Sequence, residues 1–392
     1  MLTTQRARGF TFPQLAAGFV ATLIGYASSA AIVFQAASAA GATADLIGGW
    51  FTMLGVAMGV SSLGLSLWYR QPVLTAWSTP GAAMLATSLD GVTLAQTIGI
   101  FLFTNALIVL CGISGLFARL MKVIPQEIAA AMLAGILLRF GLQAFAALQI
   151  DLALCGAMCA GWLLARRLLP RYAIIITLLT GLAVVLLRGD LHLTQPLAAL
   201  RWPTLTMPEF TLASLLGVGL PYFLVTMASQ NAPGIATLQA HGYNAPVSSL
   251  ISWTGLIALL LSPFGGFSVC IAAITAAICM GEEVHPDKQQ RWRASAIAGL
   301  FYLLAGLFGG AVGLLLTALP PVLIQTLAGL ALIGTLTGSI QRALQHEDRR
   351  DAAIITFLLT ASGITLGGIG AAFWGLAAGV LVWGISSQRA PR

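Results

Sequence analysis

Long apolar stretches follow one another along this chain, separated by short punctuations of proline, glycine and charged residues. Segments 3 and 10 of this series are too short for a complete helical crossing of a bilayer. Each is the third segment in one of two consecutive sets of seven segments. Because seven crossings is an odd number, the two sets lie in opposite orientations in the membrane, as in an inverted repeat. The fourteen predicted spans are 13–38, 46–69, 72–88, 94–117, 125–142, 150–165, 172–188, 211–236, 246–261, 263–280, 294–317, 321–340, 352–368 and 370–387.

Segments 3 and 10 each predict an extended stretch followed by a half-helix that starts near the middle of the membrane. In segment 3, Thr79-Pro80-Gly81 predicts a helix start, with a hydroxyl at the N-cap and proline at the first helical position. In segment 10, the proline- and glycine-rich stretch Ser262–Phe267 precedes Ser268, which we expect to open a helix. Such helix N-termini offer unpaired N–H groups to an anion. A simple Pro/Gly kink in an unbroken helix is the alternative.

Positions 210–281 contain no Asp, Glu, Lys or Arg, yet Ser229-Gln230-Asn231 interrupts segment 8 inside this run. Polar side chains at membrane depth either hydrogen-bond neighbouring helices or face a cavity. Aromatic residues beside the breaks either enclose a flat substrate or only pack. The predicted substrate-binding residues are Tyr26, Ser78, Thr79, Gly81, Gln230, Asn231, Gly266, Phe267 and Ser268.

The composition identifies a membrane protein. The 392 residues are 58% hydrophobic and 8% charged, whereas soluble domains average about 25% charged residues. The net charge of +7 therefore points to membrane topology and not to a nucleic-acid partner. With a cytoplasmic N-terminus, every Lys and Arg falls on the cytoplasmic side except Arg139, Arg188 and Arg201. The positive-inside rule thus predicts an even number of crossings and a cytoplasmic C-terminus.

The distribution of ionisable residues favours transport of an anion over catalysis. No carboxylate lies near a predicted membrane midplane, where acidic residues usually mark cation or proton pathways. Arg139 is the one basic residue well inside an apolar segment, where it either snorkels outward or serves the site. We predict no enzyme activity, metal or cofactor, because the histidines fall in or near connectors and the cysteines lie in apolar stretches as packing residues.

The chain resembles the benzoate/proton symporter (BenE) family across nearly its whole length. The residues that carry the resemblance are Gly25–Ser29, Thr75–Gly81, Pro125–Gly135 and Ser262–Phe267. More distantly, the organisation is similar to uracil permease, nucleobase-ascorbate and SulP anion transporters. The resemblance implies an all-α polytopic protein of the bacterial inner membrane, with 7+7 inverted repeats, often acting as a homodimer. It also implies that a core domain (13–117 and 211–317) moves against a gate domain (125–188 and 321–387).

The function implied by the resemblance is secondary import of an aromatic carboxylate, most simply benzoate, coupled to protons. Uracil permease-like carriers place carboxylates on segments 8 and 10, and those positions are Ser229 and Gly266 here. Their loss suits an anionic substrate but leaves the proton without an evident carrier. A carrier for another organic anion or a nucleobase-like compound, and an anion channel, stay open as alternatives.

Overall fold

The structure is a computed structural model that describes residues 10–117, 119, 125–191 and 202–387. His192 and Arg201 lie outside the described residues. The helices are α1 (Phe12–Ala39), α2 (Ala44–Tyr69), α3 (Thr79–Ser88), α4 (Leu94–Ile113), α5 (Gln126–Ala146), α6 (Leu152–Leu168), α7 (Ala173–Arg188), α8 (Leu212–Ala240), α9 (Val247–Leu261), α10 (Ile274–Met280), α11 (Trp292–Leu307), α12 (Gly309–Ala318), α13 (Pro321–Ala343), α14 (Arg350–Ser362) and α15 (Ala371–Ser387).

The protein is a mostly helical, polytopic membrane protein. Seven of the described helices are long and apolar enough to cross a membrane, or eight if a bent pair forms one crossing. Each predicted apolar segment contains at least one described helix. The shorter helices occupy the remaining segments, so the fourteen crossings and their inverted repeat stay a prediction.

In two predicted segments the helix bends or ends although the apolar sequence pattern continues. Segment 11 is divided at Phe308 into α11 and α12, which meet at an angle of 61°. Segment 13 ends as a helix at Ser362 and continues as a hairpin of β3 (Thr365–Leu366) and β4 (Ile369–Gly370). Gly367 and Gly368 form its turn with positive φ angles of 60° and 77°, which residues with side chains disfavour.

The two broken segments meet in a short antiparallel sheet, which positions the start of α3. Strand β1 (Thr75–Trp77) pairs with β2 (Val269–Ile271), so that Thr75 lies opposite Ile271 and Trp77 opposite Val269. The Ala272 N–H also donates to the Leu74 carbonyl at 2.9 Å. The pairing satisfies backbone groups that would otherwise be unpaired inside the membrane.

The helices pack as two sets, and the sheet contacts helices α2, α8 and α9. Helix α2 packs against α11 and α12, α9 against α4, and α1 against α3, α10 and α11. In the second set, α5 packs against α13 and α14, and α6 against α7. Gly55 and Gly306 let α2 and α11 approach closely, since a Cβ on Gly55 would lie 2.4 Å from the Gly306 Cα.

Candidate functional site

The start of α3 is capped from within its own segment. Ser78, not Thr79 as predicted, is the N-cap, and its Oγ accepts a hydrogen bond from the Gly81 N–H at 3.1 Å. The Ser78 carbonyl accepts from the Ala82 N–H at 2.7 Å, and Pro80 has no N–H to offer. The prediction of unpaired N–H groups is therefore wrong at Gly81, whose N–H the serine satisfies, and at Pro80, which has none.

Helix α10 begins at Ile274, six residues after the predicted start at Ser268. The backbone from Ser268 is extended because the Ser268 carbonyl accepts from the Ser78 N–H and residues 269–271 form strand β2. The β-branched Val269 and Ile271 suit a strand. The Ser268 hydroxyl donates to Asn105 Oδ1 at 3.3 Å, so this side chain joins segment 10 to α4.

Three of the predicted site residues are packed behind the sheet. The Phe267 ring is fully buried, with its centroid 5.8 Å from that of Phe101. A Cβ on Gly81 would lie 2.3 Å from the Tyr222 ring, and one on Gly266 would lie 2.9 Å from Leu261. These positions give the site its shape through close packing, and no part of the Phe267 side chain is exposed.

Gln230 and Asn231 follow each other in α8 but contact different parts of the sheet. Both lie in a π-helical turn, Met227–Asn231, a distortion that is frequent at functional sites. Asn231 is fully buried, and its Oδ1 accepts from the Ile271 N–H at 3.0 Å. Half-buried Gln230 donates from Nε2 to the Trp77 carbonyl at 3.3 Å.

Tyr26 of α1 and Gln230 of α8 both contact Trp77 of β1, and Thr79 begins α3 two residues after Trp77. We call these four residues the junction cluster. The rings of Tyr26 and Trp77 meet edge to face with centroids 4.8 Å apart. Trp77 is fixed by a 2.7 Å hydrogen bond from Nε1 to Ser29 Oγ. The Tyr26 hydroxyl is buried and has no hydrogen-bond partner among the described residues, so it is a donor in need of an acceptor. Three of these four residues, Tyr26, Thr79 and Gln230, are among the predicted site residues, and Trp77 is not.

Two cavities flank α8 toward its two ends. One, of about 390 Å³, lies between α8 and helices α5 and α13 and is lined by Ser229, Pro233, Gln126 and Arg342 among others. We call it the Arg342 cavity. The predicted site residues do not line it, although Ser229 precedes Gln230 directly.

The second cavity, of about 530 Å³, lies beyond the C-terminal end of α3 and is lined by Arg139, Ser88, Ser214 and Asp90 among others. We call it the Arg139 cavity. Arg139 therefore faces a polar cavity. Its guanidinium packs so closely on Gly363 that a Cβ at position 363 would collide with it. Sequence reasoning missed Arg342, because an arginine at the end of an apolar segment usually reports only membrane topology.

Solved transporter structures share this fold at low sequence identity. The murine Slc26a9 anion transporter in its inward-facing state superposes with a TM-score of 0.67 at 13% identity, over 100% of this chain and 71% of that one. The transmembrane domain of a cyanobacterial bicarbonate transporter, BicA, superposes with a TM-score of 0.57 at 13% identity, over 96% and 98% of the two chains. At such identities the likeness establishes the fold alone.

Sequence relatives establish the family. Inner membrane protein YdcO of Escherichia coli (strain K12) is 62% identical over 367 residues, which cover 94% of each chain. The benzoate membrane transport protein of Acinetobacter baylyi (strain ATCC 33305 / BD413 / ADP1) is 37% identical over 367 residues, 94% of this chain and 93% of that one. The family model described as benzoate membrane transport protein, BenE, matches residues 9–385. This chain therefore belongs to the BenE family of membrane transporters, which is not a family of enzymes.

Proposed function

We propose that the protein imports an aromatic carboxylate, with benzoate as the first candidate, together with protons. In this proposal the core domain (13–117 and 211–317) moves against the gate domain (125–188 and 321–387). The movement exposes the junction cluster alternately to the two sides of the membrane. The Acinetobacter relative named for benzoate transport supports the choice of substrate.

The observation that carries the proposal is the junction cluster. Half-buried Tyr26, backed by the buried Trp77 ring, supplies an aromatic surface for a flat ring, and the buried Tyr26 hydroxyl has no acceptor among the described residues. A carboxylate is such an acceptor, and a hydrogen bond to a charged acceptor is stronger than one between neutral groups. Thr79 at the start of α3 and the Gln230 amide complete a polar edge. The cluster therefore suits a ring with one acidic end.

The charges along the proposed path favour an anion. The junction cluster contains no carboxylate, and the Arg342 cavity is lined by an arginine and by no acidic residue, whereas Asp90 accompanies Arg139 in the other cavity. A fixed positive charge in a confined, partly apolar cleft raises the local concentration of anions. The proton then has two routes, either bound to the substrate as the neutral acid or on a separate side chain.

We also propose a cellular location, a membrane orientation and an oligomeric state for the protein. The Escherichia coli relative is named an inner membrane protein, which supports the bacterial inner membrane as the location of this chain. We place both termini in the cytoplasm, because this orientation puts nearly all Lys and Arg there. We also expect a homodimer.

Uptake of labelled benzoate into proteoliposomes tests the function. We expect saturable uptake that unlabelled internal benzoate accelerates by counterflow, and that an acidic exterior stimulates while the membrane potential is clamped. Empty liposomes give the control for diffusion of neutral benzoic acid through lipid. Absence of saturable uptake above that control would refute the substrate. Saturable uptake indifferent to the pH gradient would refute proton coupling, and failure of counterflow would favour a channel.

A further inference from the structure

A cavity of about 550 Å³ lies away from the junction cluster, among three connectors of the proposed core domain. The connectors follow α2, join α8 to α9, and join α10 to α11. Arg70, Lys288 and Arg293 line the cavity, and none of its lining residues is Asp or Glu. Three like charges around one cleft repel each other, and an anion in the cleft relieves that repulsion. We call this cavity the basic pocket.

Aromatic rings hold the positive charges of the basic pocket in place. The Trp292 ring lies under Arg70 at 4.9 Å and near Arg293 at 5.7 Å, measured from each guanidinium carbon to the ring centroid. Lys288 Nζ lies 4.6 Å from the Tyr243 ring centroid and donates to the Gly242 carbonyl at 2.6 Å. The stacking orders the side chains of Arg70 and Lys288 without neutralising their charge. Burial raises the pKa of the Tyr243 hydroxyl, so it adds no negative charge near neutral pH.

The backbone of Arg70 gives a second, independent observation. Arg70 ends α2 in a left-handed conformation, with φ 53° and ψ 35°, and is the one described residue other than glycine with a positive φ. Glycine is the usual residue at such a helix end because side chains are strained there. A strained arginine whose side chain lines a basic cavity indicates a functional demand for its charge.

Exposed residues at the end of α2 indicate that the basic pocket lies near the lipid headgroups. Trp68, in the last turn of α2, is 82% exposed, and its neighbour Leu67 is also exposed. Tryptophan on the outer surface of a membrane helix prefers the interface between hydrocarbon and headgroups. Arg70 comes two residues later, just beyond that interface, where basic pockets between helices bind anionic lipid headgroups.

We propose that the basic pocket binds a phosphate group, supplied by the headgroup of an anionic phospholipid. The headgroup would bridge the connectors that hold Arg70, Lys288 and Arg293, and so stabilise one end of the proposed core domain. Arg70 is followed by Gln71 and then by the chain that leads into β1. A headgroup bound at Arg70 would therefore restrain the segment that contributes Trp77 and Thr79 to the junction cluster. The proposal does not depend on which substrate is transported.

Thermal melting of purified protein with defined lipids tests the site. Phosphatidylglycerol is titrated into detergent-solubilised protein against phosphatidylcholine, for the wild type, Arg70→Gln, Lys288→Gln and Arg293→Gln. We expect phosphatidylglycerol to raise the melting temperature of the wild type selectively. Each substitution should weaken its apparent affinity about fivefold, since one basic residue beside anionic lipid contributes on that order. Arg70→Gly also removes the charge but relieves the strained backbone, so loss of the lipid effect in that variant is not a folding defect.

Arg166→Gln is the matched control. Arg166 stacks on Trp162 at 4.9 Å, as Arg70 does on Trp292, but lies outside the basic pocket. Equal loss of the phosphatidylglycerol effect in Arg166→Gln and Arg70→Gln would overturn the proposal in favour of general charge attraction. Full retention of the effect in all three pocket variants, Arg70→Gln, Lys288→Gln and Arg293→Gln, would also overturn it. A parallel titration with glycerol 3-phosphate separates the sources. Stabilisation equal to that by phosphatidylglycerol would overturn the lipid as the source and assign the site to a soluble phosphate ester.

Discussion

At the scale of single residues, α8 separates two amides that are adjacent in sequence. Asn231 satisfies the buried N–H of Ile271 and is itself fully buried. Gln230 reaches the Trp77 carbonyl, remains half-buried, and lies beside the Tyr26–Trp77 aromatic pair. Asn231 therefore supports the sheet from a buried position, whereas Gln230 contacts it from a partly exposed position and is the amide that we propose for the ligand.

This difference predicts opposite results for two alanine substitutions. Gln230→Ala should weaken benzoate binding with little change in melting temperature, because it removes a partly exposed donor. Asn231→Ala should destabilise the protein by about 1–3 kcal/mol, because it leaves the Ile271 N–H buried without a partner. Melting temperature and ligand affinity are measured for both variants. A stable Asn231→Ala protein with lost affinity would instead place Asn231 at the ligand.

At the scale of elements, the sequence predicts local features well and contacts between distant segments poorly. Apolar runs located every described helix, and Pro80 with its hydroxyl neighbours located the start of α3 to within one residue. The start of α10 was missed because Val269–Ile271 becomes a strand only through pairing with β1. Gln230 was identifiable as a polar residue in an apolar run, whereas the partnership of Tyr26 with Trp77 depends on how α1 and β1 pack.

The cap of α3 gives a prediction for a whole element. Ser78→Ala removes the acceptor of the buried Gly81 N–H and of the Thr226 hydroxyl, so it should cost about 1–2 kcal/mol and reduce uptake. Thr93→Ala is the control, because Thr93 caps α4 in the same way at an exposed end. Melting temperature and uptake are measured for both. If Thr93→Ala reduces uptake as much as Ser78→Ala does, the position of the α3 start is not what matters for transport.

At the scale of the whole molecule, the two cavities give the protein a rough symmetry of function. Arg139 lies on α5 and Arg342 on α13, and these helices pack against each other. Their arginines line cavities near opposite ends of α8, one with Ser214 and the other with Pro233. We propose that the two cavities are the entrances to the junction cluster, each with one arginine from the proposed gate domain, although Asp90 accompanies Arg139 in the Arg139 cavity.

The symmetry predicts effects that depend on the side from which substrate enters. Arg139→Gln should raise the half-saturating benzoate concentration about twofold to fivefold on the side of the Arg139 cavity, as expected for loss of a partly exposed charge interaction. Arg342→Gln should do so on the other side, and both effects should shrink at high salt because mobile ions screen exposed charges. Exchange kinetics in right-side-out and inside-out vesicles measure the half-saturating benzoate concentration on each side of the membrane. Arg167→Gln is the control, because Arg167 is exposed and lines neither cavity. Equal changes on both sides in each variant would show that the arginines act on the protein's conformational equilibrium and not as entrance charges.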